Sequence, residues 1–294
     1  MSWEETFTAW SKGPSTTENA KCENAESVIS AILKTDETLA TLPIRVFTQG
    51  SYKVRTNVRQ DSDVDICILR TDAFFYDRAP GLTSDPTASL SAPSLSFSGF
   101  KDLVHAALLS ELGNNGVTRG DKAFDIHANT YRIDADVVPT FEYRFYFDAT
   151  HWRTGVAFLT DRGIKIFNYP DQTHENGVVK NIRTAKTYKR TIRILKRLRN
   201  KMQEENIAAA HDVGSFLIES LVWNVPDNAF AHDAYTSVVR DVLAHTFNNT
   251  LDDASCQDWL EVNDCKYLFR AQQPWTRLQA HAFLSAAWNY IGYE

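Results

Sequence analysis

Two aspartates separated by a single residue, Asp63 and Asp65, are the strongest candidates for chemistry in this chain of 294 residues. Side chains two positions apart on a β-strand project from the same face, so Asp63-Val64-Asp65-Ile66 would present both carboxylates together. Carboxylates held that closely repel each other, and they tend to stay protonated unless a cation lies between them. The pair therefore predicts a site for Mg²⁺, which prefers oxygen ligands and is commonly bound together with phosphates.

A glycine–serine pair, Gly50-Ser51, is separated from Asp63 by eleven residues. The glycine allows a close approach of the backbone, and the serine supplies a hydroxyl. Both properties suit contact with a phosphate group.

A second pair of carboxylates, Asp134 and Asp136, lies in a segment that is predicted to form a strand from Tyr131 to Val138. If this strand lies beside the strand of the first pair, one of the two side chains can reach the same metal ions, and the residues alone leave open which one. Three carboxylates can bridge two Mg²⁺ about 3.5–4 Å apart, one ion activating a hydroxyl and the other holding the departing pyrophosphate. The predicted reaction is in-line displacement at the α-phosphate of a nucleoside triphosphate.

The elements that would position these residues divide the chain into two parts. Up to residue 179, helical and strand patterns are mixed, with helices predicted over Thr16–Leu33 and Phe100–Leu112 and strands around Ile44 and over Asp63–Leu69, Val117–Ile126 and Tyr131–Val138. The Ser/Pro-rich segment 78–99 is predicted to be a long irregular insertion. From residue 180 the pattern is helical, over 188–202, 215–223, 232–247 and 276–290. We therefore predict an α+β fold with a mixed sheet in residues 1–179, an all-helical lobe in residues 180–294, and the active site in a cleft between them.

Composition excludes several classes of protein. A hydrophobic fraction of 43% and a charged fraction of 23% are typical of a globular protein. No stretch approaches the roughly 18 apolar residues that cross a membrane, and the N-terminus does not resemble a secretory signal. The four cysteines are widely spaced and form no metal-binding pair, which favours reduced thiols and a cytoplasmic location.

The net charge of −6 hides a concentration of basic residues. Ten Lys or Arg residues lie between Lys180 and Lys201, and no Asp or Glu occurs from Asn176 to Gln203. Such a run indicates a phosphate-rich small ligand or a nucleic acid held at one face. The alternative is a basic helix face that is simply solvated.

Taken together, Gly50-Ser51, Asp63-Val64-Asp65-Ile66 and Asp136-Val137-Val138-Pro139 resemble the hallmark of the polymerase-β-like nucleotidyltransferases. Within that superfamily the chain resembles the bacterial cGAS/DncV-like nucleotidyltransferases (CD-NTases), relatives of the oligoadenylate synthetases. The resemblance spans nearly the full length and includes Lys196-Arg197-Leu198-Arg199-Asn200 and Gly214-Ser215-Phe216. It implies a polymerase-β-like lobe followed by a helical lobe.

The resemblance also implies roles for the aspartates. The third carboxylate is expected to be Asp136 rather than Asp134. Asp63 and Asp65 are expected to bind two Mg²⁺ ions, for which Mn²⁺ can substitute, and Asp136 to bind metal and to act as the base for the incoming hydroxyl. Asp61 lies one step too early for the motif and is expected to support the pair.

The resemblance also implies that residues other than the aspartates contact the nucleotide. Lys196 and Ser215 occupy the places from which family members hold the triphosphate, and their alternative interpretation is an exposed helix lysine and an N-cap serine. Asn168 occupies the place of a contact with the donor base, where its amide could pair with a uracil edge. Tyr169, or an aromatic residue of the segment 78–99, could stack on a base.

The predicted function is a cyclic-nucleotide synthase. It would join ATP, GTP and/or UTP into a cyclic di- or trinucleotide, release pyrophosphate, and signal in antiphage defence through a downstream effector. One alternative is nucleotide transfer onto RNA or a small acceptor; the acidic charge and the lack of a separate RNA-binding module predict no stable binding of nucleic acid. The other alternative is an inactive nucleotide-binding scaffold, although a degenerate homologue has no physical reason to keep three mutually repelling carboxylates.

Overall fold

The computed structural model describes residues 1–58, 63–83, 85–88 and 93–293. They fall into two compact units. The first, called the sheet unit, contains Ser15–Lys53 and Ser62–Pro170, and the second, called the helical unit, contains Met1–Pro14, Val54–Asp61 and Asp171–Glu294. Two segments from the N-terminal half thus belong to the helical unit. The division into domains at residues 179 and 180 stays a prediction.

Within the described residues, seven strands form one mixed sheet: β1 (Ile44–Gln49), β2 (Val64–Arg78), β3 (Val117–Arg119), β4 (Phe124–Ile126), β5 (Ala135–Tyr146), β6 (Trp152–Leu159) and β7 (Lys165–Asn168). Their order is β1-β2-β5-β4-β3, with β6 paired to the second half of β5 and β7 paired to β6. The pairing of β2 with β5 is parallel, and the other pairings are antiparallel.

The helices of the described residues are α1 (Trp3–Trp10), α2 (Thr16–Thr35), α3 (Gly50–Val54), α4 (Phe97–Leu112), α5 (Pro170–Arg183), α6 (Thr187–Glu204), α7 (Ser215–Trp223), α8 (Tyr235–Asn249) and α9 (Arg277–Ile291). Short 3₁₀ turns occur at Leu39–Thr41, Ala208–Ala210, Asp227–Phe230 and Ala254–Cys256. Of the described helices, none is long and apolar enough to cross a membrane.

The two faces of β2 have different surroundings. Val64, Ile66 and Ile68 belong to the main core of the sheet unit, together with residues of α2 and α4. Cys67 and Leu69 point to the opposite face and form a small apolar cluster with Phe47 and Val156. This alternation places Asp65 on the face opposite the covering helices.

The helical unit has a core of its own. Its buried residues come mainly from α6 to α9, with Phe7 contributed by α1. A helix was predicted over 188–202, and α6 confirms it. Its apolar stripe is fully buried in this core and consists of Tyr188, Ile192, Leu195, Leu198 and Met202.

Capping residues explain where two predicted helices begin and end. Ser15 accepts a hydrogen bond from the backbone N–H of Glu18 in a capping box, so α2 begins at Thr16 as predicted. Ser96 accepts from the backbone N–H of Gly99, and α4 therefore begins three residues before the predicted Phe100. Gly113, at φ +70°, ends α4 as predicted. The predicted α+β class, with a mixed sheet and a helical part, is confirmed.

Three predicted strands are wrong in their extent. The strand predicted over Asp63–Leu69 begins at Val64 and continues to Arg78, so Asp63 lies just before it. The strand predicted over Val117–Ile126 is a hairpin of β3 and β4, closed by a bond from the N–H of Gly120 to the carbonyl oxygen of Ala123. The strand predicted from Tyr131 begins only at Ala135, because the side chain of Asn129 accepts the N–H groups of Tyr131 and Arg132 and holds a turn.

The predicted insertion at 78–99 is described in part. Residues 79–83, 85–88 and 93–96 lie outside helices and strands, β2 continues to Arg78, and residues 97–99 belong to α4. Residues 84 and 89–92, and the supporting role predicted for Asp61, lie outside the described residues.

Candidate active site

Three aspartates form a row across neighbouring strands of the sheet. The parallel register of β2 and β5 pairs Asp65 with Asp136, and the antiparallel register of β4 and β5 pairs Asp125 with Asp136. Residues paired in this way point to the same face, and neighbouring strands lie about 4.8 Å apart. The structure therefore brings Asp65 and Asp136 together as predicted and adds Asp125 on the far side of Asp136.

The carboxylates of this row perturb one another. The pKa of Asp136 is raised to about 6, first by burial, then by a hydrogen bond with Asp125 and by the negative charges of Asp65, Asp125 and Asp63. The pKa of Asp63 is also raised, by partial burial and by the charges of Asp134 and Asp125. Crowded carboxylates of this kind hold an excess of negative charge that a cation would neutralise.

Asp134 has a different position from the one predicted. It precedes β5 and does not share a strand face with Asp136. Its Oδ1 accepts the backbone N–H of Ala128 at 2.6 Å, so the carboxylate helps to hold the turn before the strand. The position of Asp134 outside β5 agrees with the choice of Asp136 as the third carboxylate.

Gly50 lies directly against Asp65. Its φ of +62° is in the left-handed region, and a Cβ at this position would overlap Oδ2 of Asp65 and lie 2.9 Å from its Cγ. A glycine is therefore required at the start of α3, both by the backbone conformation and by the neighbouring carboxylate. Ser51 follows in the first turn of this short helix.

The donor set fits Mg²⁺. Its side chains offer only carboxylate oxygens, the ligands that Mg²⁺ prefers. Burial first, and the negative charges of neighbouring carboxylates after it, raise the pKa values of Asp63 and Asp136, and a divalent cation would favour their ionised forms. In the part of the chain that the structure describes, no three Asp, Glu, His or Cys side chains are already gathered as a metal site.

Asp125 is the member of the row that the sequence analysis missed. A signal for it exists: Phe124-Asp125-Ile126 repeats the apolar–acidic–apolar pattern of Val64-Asp65-Ile66 and Ala135-Asp136-Val137. The pattern has meaning only once β4 is known to pair with β5.

Asn168 lies on the same sheet face as the aspartate row. It pairs with Val156, which pairs with Glu142, and Glu142 is an even number of residues from Asp136 on β5. The side chain of Asn168 is exposed. The contact predicted between Asn168 and a base stays a prediction.

Tyr169 is not available for the stacking that was suggested for it. Its ring is 3% exposed and packs edge-on against Tyr143 and Phe167, with ring centroids 6.0 and 6.1 Å apart. Gly155 makes this packing possible, since a Cβ there would lie 2.9 Å from Cδ1 of Tyr169.

Lys196 and Ser215 lie in the helical unit, and both already have polar contacts. Lys196 has no exposed surface, and its Nζ is 2.7 Å from Oε1 of Glu219. The Oγ of Ser215 accepts from Nη2 of Arg199 at 3.1 Å, and the N-cap of α7 is Gly214. The alternative interpretation as an exposed lysine and an N-cap serine is therefore wrong. The roles predicted for both residues at a triphosphate stay predictions.

Much of the basic run is not a solvated surface. Five of its ten basic residues are buried: Lys180, Lys189, Arg193, Lys196 and Arg199. The pKa of Lys189 is lowered to about 8, chiefly by burial, although the nearby charge of Glu219 acts in the opposite direction. Lys189 is therefore a second buried amine beside Glu219, and the sequence analysis did not single it out.

Comparison with known proteins identifies the chain. Residues 175–292 match the family model described as the cGAS/DncV-like nucleotidyltransferase C-terminal helical domain. The cyclic dipyrimidine nucleotide synthase CdnE of Legionella pneumophila is 43% identical over 295 residues, which cover 99% of this chain and 98% of that relative.

Solved structures agree. The CdnE cyclic dinucleotide synthase of Elizabethkingia meningoseptica, solved with GTP and Apcpp, has a TM-score of 0.81 at 32% identity and covers 99% of both chains. The CdnE c-UMP-AMP synthase of Rhodothermus marinus, solved with Apcpp and Upnpp, has a TM-score of 0.86 at 27% identity and covers 99% of this chain and 97% of that one.

A carboxylate row on a mixed sheet, joined to a helical unit, is the architecture of a nucleotidyltransferase, and these relatives share its fold over nearly the whole chain. The chain belongs to the bacterial cGAS/DncV-like nucleotidyltransferases. Its close relatives are named cyclic dinucleotide synthases, so the predicted family, fold class and enzyme class are confirmed, and with them the synthesis of a cyclic oligonucleotide from nucleoside triphosphates.

Proposed function

We propose that this protein joins nucleoside triphosphates into a cyclic dinucleotide that contains at least one pyrimidine nucleotide. We choose a pyrimidine because the chain is 43% identical, over 99% of its length, to a cyclic dipyrimidine nucleotide synthase. The position of Asn168 supports it. An exposed amide both donates and accepts hydrogen bonds, and it can therefore match the donor and acceptor edge of uracil.

The proposed chemistry is carried by residues of the sheet unit. Asp63, Asp65 and Asp136 would hold two Mg²⁺, or Mn²⁺ in their place. When bound, the metal supplies charge stabilisation at the transferring phosphate and at the departing pyrophosphate. A ribose hydroxyl attacks the α-phosphorus, the bond from that phosphorus to pyrophosphate breaks, and the hydroxyl proton passes to Asp136. Gly50 and Ser51 contact the phosphates.

Lys196 and Ser215 complete the proposed set of triphosphate contacts. In the structure Lys196 is paired with Glu219, so its contact with a phosphate needs that ion pair to open. Lys189 is a second candidate for the contact, since burial lowers the pKa of its amine to about 8 and a nearby anion would favour the charged form.

The proposed setting is the cytoplasm, where the product would act on a separate effector in antiphage defence. ATP, GTP and UTP are the candidate substrates. Stable binding of nucleic acid is not part of the proposal, given the net charge of −6.

Mass spectrometry tests the proposal directly. The purified protein is incubated with all four ribonucleoside triphosphates and Mg²⁺ or Mn²⁺, and phosphatase-resistant products are identified. A cyclic dinucleotide with a pyrimidine is expected, whereas purines alone would contradict the choice of base. Asp63→Asn with Asp65→Asn should abolish the product, and Asn168→Ala should weaken the preference for UTP while product formation continues.

The same assay separates the two alternatives. Product that forms only with added RNA or another acceptor would favour transfer onto that acceptor. Nucleotide binding without any product would favour an inactive scaffold.

A further inference from the structure

A buried carboxylate in the helical unit contacts the part of the chain that lies between Gly50-Ser51 and Asp63. Glu219, on α7, is 4% exposed. It accepts a hydrogen bond from Oγ1 of Thr56 at 2.7 Å, and Nζ of Lys196 lies 2.7 Å from the same Oε1. A buried carboxylate needs such partners, so removal of the Thr56 hydroxyl would leave Glu219 with one polar partner fewer.

A second contact fixes the residue next to Thr56. Arg55 has φ +59°, a left-handed conformation that is uncommon for residues other than glycine. Its carbonyl oxygen accepts from Nη1 of Arg193 at 2.7 Å, and Nε of Arg193 donates to the carbonyl oxygen of Ser11 at 2.8 Å. An unusual backbone conformation is thus held in place by a buried guanidinium.

Burial extends along the whole described part of this segment after Arg55. Thr56, Asn57 and Val58 are 1%, 3% and 2% exposed. The segment Val54–Asp61 belongs to the helical unit, although the chain on either side of it belongs to the sheet unit. Because α3 ends at Val54, only Arg55 separates Thr56 from the short helix that carries Ser51.

We propose that Thr56 and Glu219 act as positioning residues for nucleotidyl transfer, by anchoring the segment that joins Gly50-Ser51 to Asp63. Neither residue needs to touch the substrate for this role. The proposal rests on the proposed roles of Gly50, Ser51 and Asp63 in phosphate and metal binding. It predicts that loss of the anchor weakens the binding of nucleotide and of metal together.

The test compares Thr56→Val with Thr56→Ser. Valine keeps the volume and removes the hydroxyl, while serine keeps the hydroxyl that Glu219 accepts. For Thr56→Val we expect the KM for nucleotide and the Mg²⁺ concentration at half-maximal rate each to rise about tenfold, since small misplacements of binding groups are costly. Thr56→Ser should remain within about twofold of the wild type on both measures.

A purely structural role would give a different result. It would lower the melting temperature and the yield of folded enzyme but leave the KM and the Mg²⁺ requirement unchanged, and that result in a folded Thr56→Val would overturn the proposal. If Thr56→Val does not fold, Glu219→Gln is used, because its amide oxygen still accepts from Thr56 while the charge is lost. It should raise both measures by a smaller factor, and wild-type values would again overturn the proposal.

Asp65→Asn serves as the control for the site itself. If it is inactive while Thr56→Val is normal, the positioning role fails and the proposed site stands. If Asp65→Asn keeps full activity, the proposed site fails instead.

Discussion

The contact between Gly50 and Asp65 allows a quantitative test of how the sheet unit positions its carboxylates. The residue has φ +62°, a conformation that disfavours any side chain other than hydrogen. A Cβ at this position would also overlap Oδ2 of Asp65 and lie 2.9 Å from its Cγ. We therefore expect Gly50→Ala to strain the backbone and to displace Asp65.

The two effects have separate magnitudes. The left-handed conformation costs an alanine about 1–2 kcal/mol, which lowers Tm by about 2–4 °C for each kcal/mol in a protein of this size range. The carboxylate of Asp65 has to retreat by about 1 Å to restore ordinary contact distances. Since a misplacement of about 1 Å in a catalytic constellation costs about 100-fold, we expect turnover to fall about 100-fold with only a modest change in Tm.

Gly163→Ala is the matched control. Gly163 has φ +79°, and no atom lies within 4 Å of the Cβ that alanine would add. It should show the loss in Tm without the loss in turnover. Turnover is measured as pyrophosphate release at saturating nucleotide and Mg²⁺, beside thermal unfolding. Equal turnover in the two variants would refute the reasoning.

Three further predictions concern charge and base selection. Asp125→Asn should lower the pKa of Asp136 in metal-free protein, because Asp125 raises that pKa through a hydrogen bond and through its negative charge. Carboxyl-carbon NMR measures the pKa, and an unchanged value would contradict the contact between Asp125 and Asp136. The pKa of Lys189, lowered to about 8, should rise toward its ordinary value when a triphosphate binds, so binding at pH 8 should take up about half a proton. Calorimetry in buffers of different ionisation enthalpy measures that uptake, and Lys189→Met should remove it if this lysine is the contact. Gly155→Ala adds a Cβ 2.5 Å from the carbonyl oxygen of Asn168 and should therefore displace that residue. In a competition between UTP and ATP, the preference between the two nucleotides should change by a larger factor than the total rate.

Local patterns predicted the part of the site that depends on neighbouring residues. Strand geometry around Asp65 predicts that Val64 and Ile66 point away from the carboxylate, and both pack into the core with α2 and α4. The start of α2 at Thr16 and the end of α4 at Leu112 were also predicted, because the caps at Ser15 and Gly113 depend on only a few adjacent backbone groups. The juxtaposition of Asp65 and Asp136 follows from the register of two strands, whereas Asp63 precedes β2 and its role at a metal stays a prediction.

Features that depend on pairing between distant segments were not predicted. Asp125 joins the row only through the register of β4 on β5, and Asp134 leaves the predicted strand because of a turn held by Asn129. The burial of Tyr169 depends on the absence of a side chain at Gly155, on a different strand. Periodicity within one segment carries no information about such partners.

The buried basic residues of α6 also change the interpretation of the basic run, which was predicted to hold a phosphate-rich ligand or a nucleic acid. The guanidinium of Arg193 is bonded to the carbonyl oxygens of Ser11 and Arg55, which solvate a cation but carry no net charge. Its pKa is accordingly lowered to about 10, by burial first and then by the charges of Arg197 and Arg190. Positive charge therefore persists inside the unit, where salt screens it less than at an exposed surface. Burial thus moves the cationic character that the sequence predicted into the interior of the unit, and it does not remove that character.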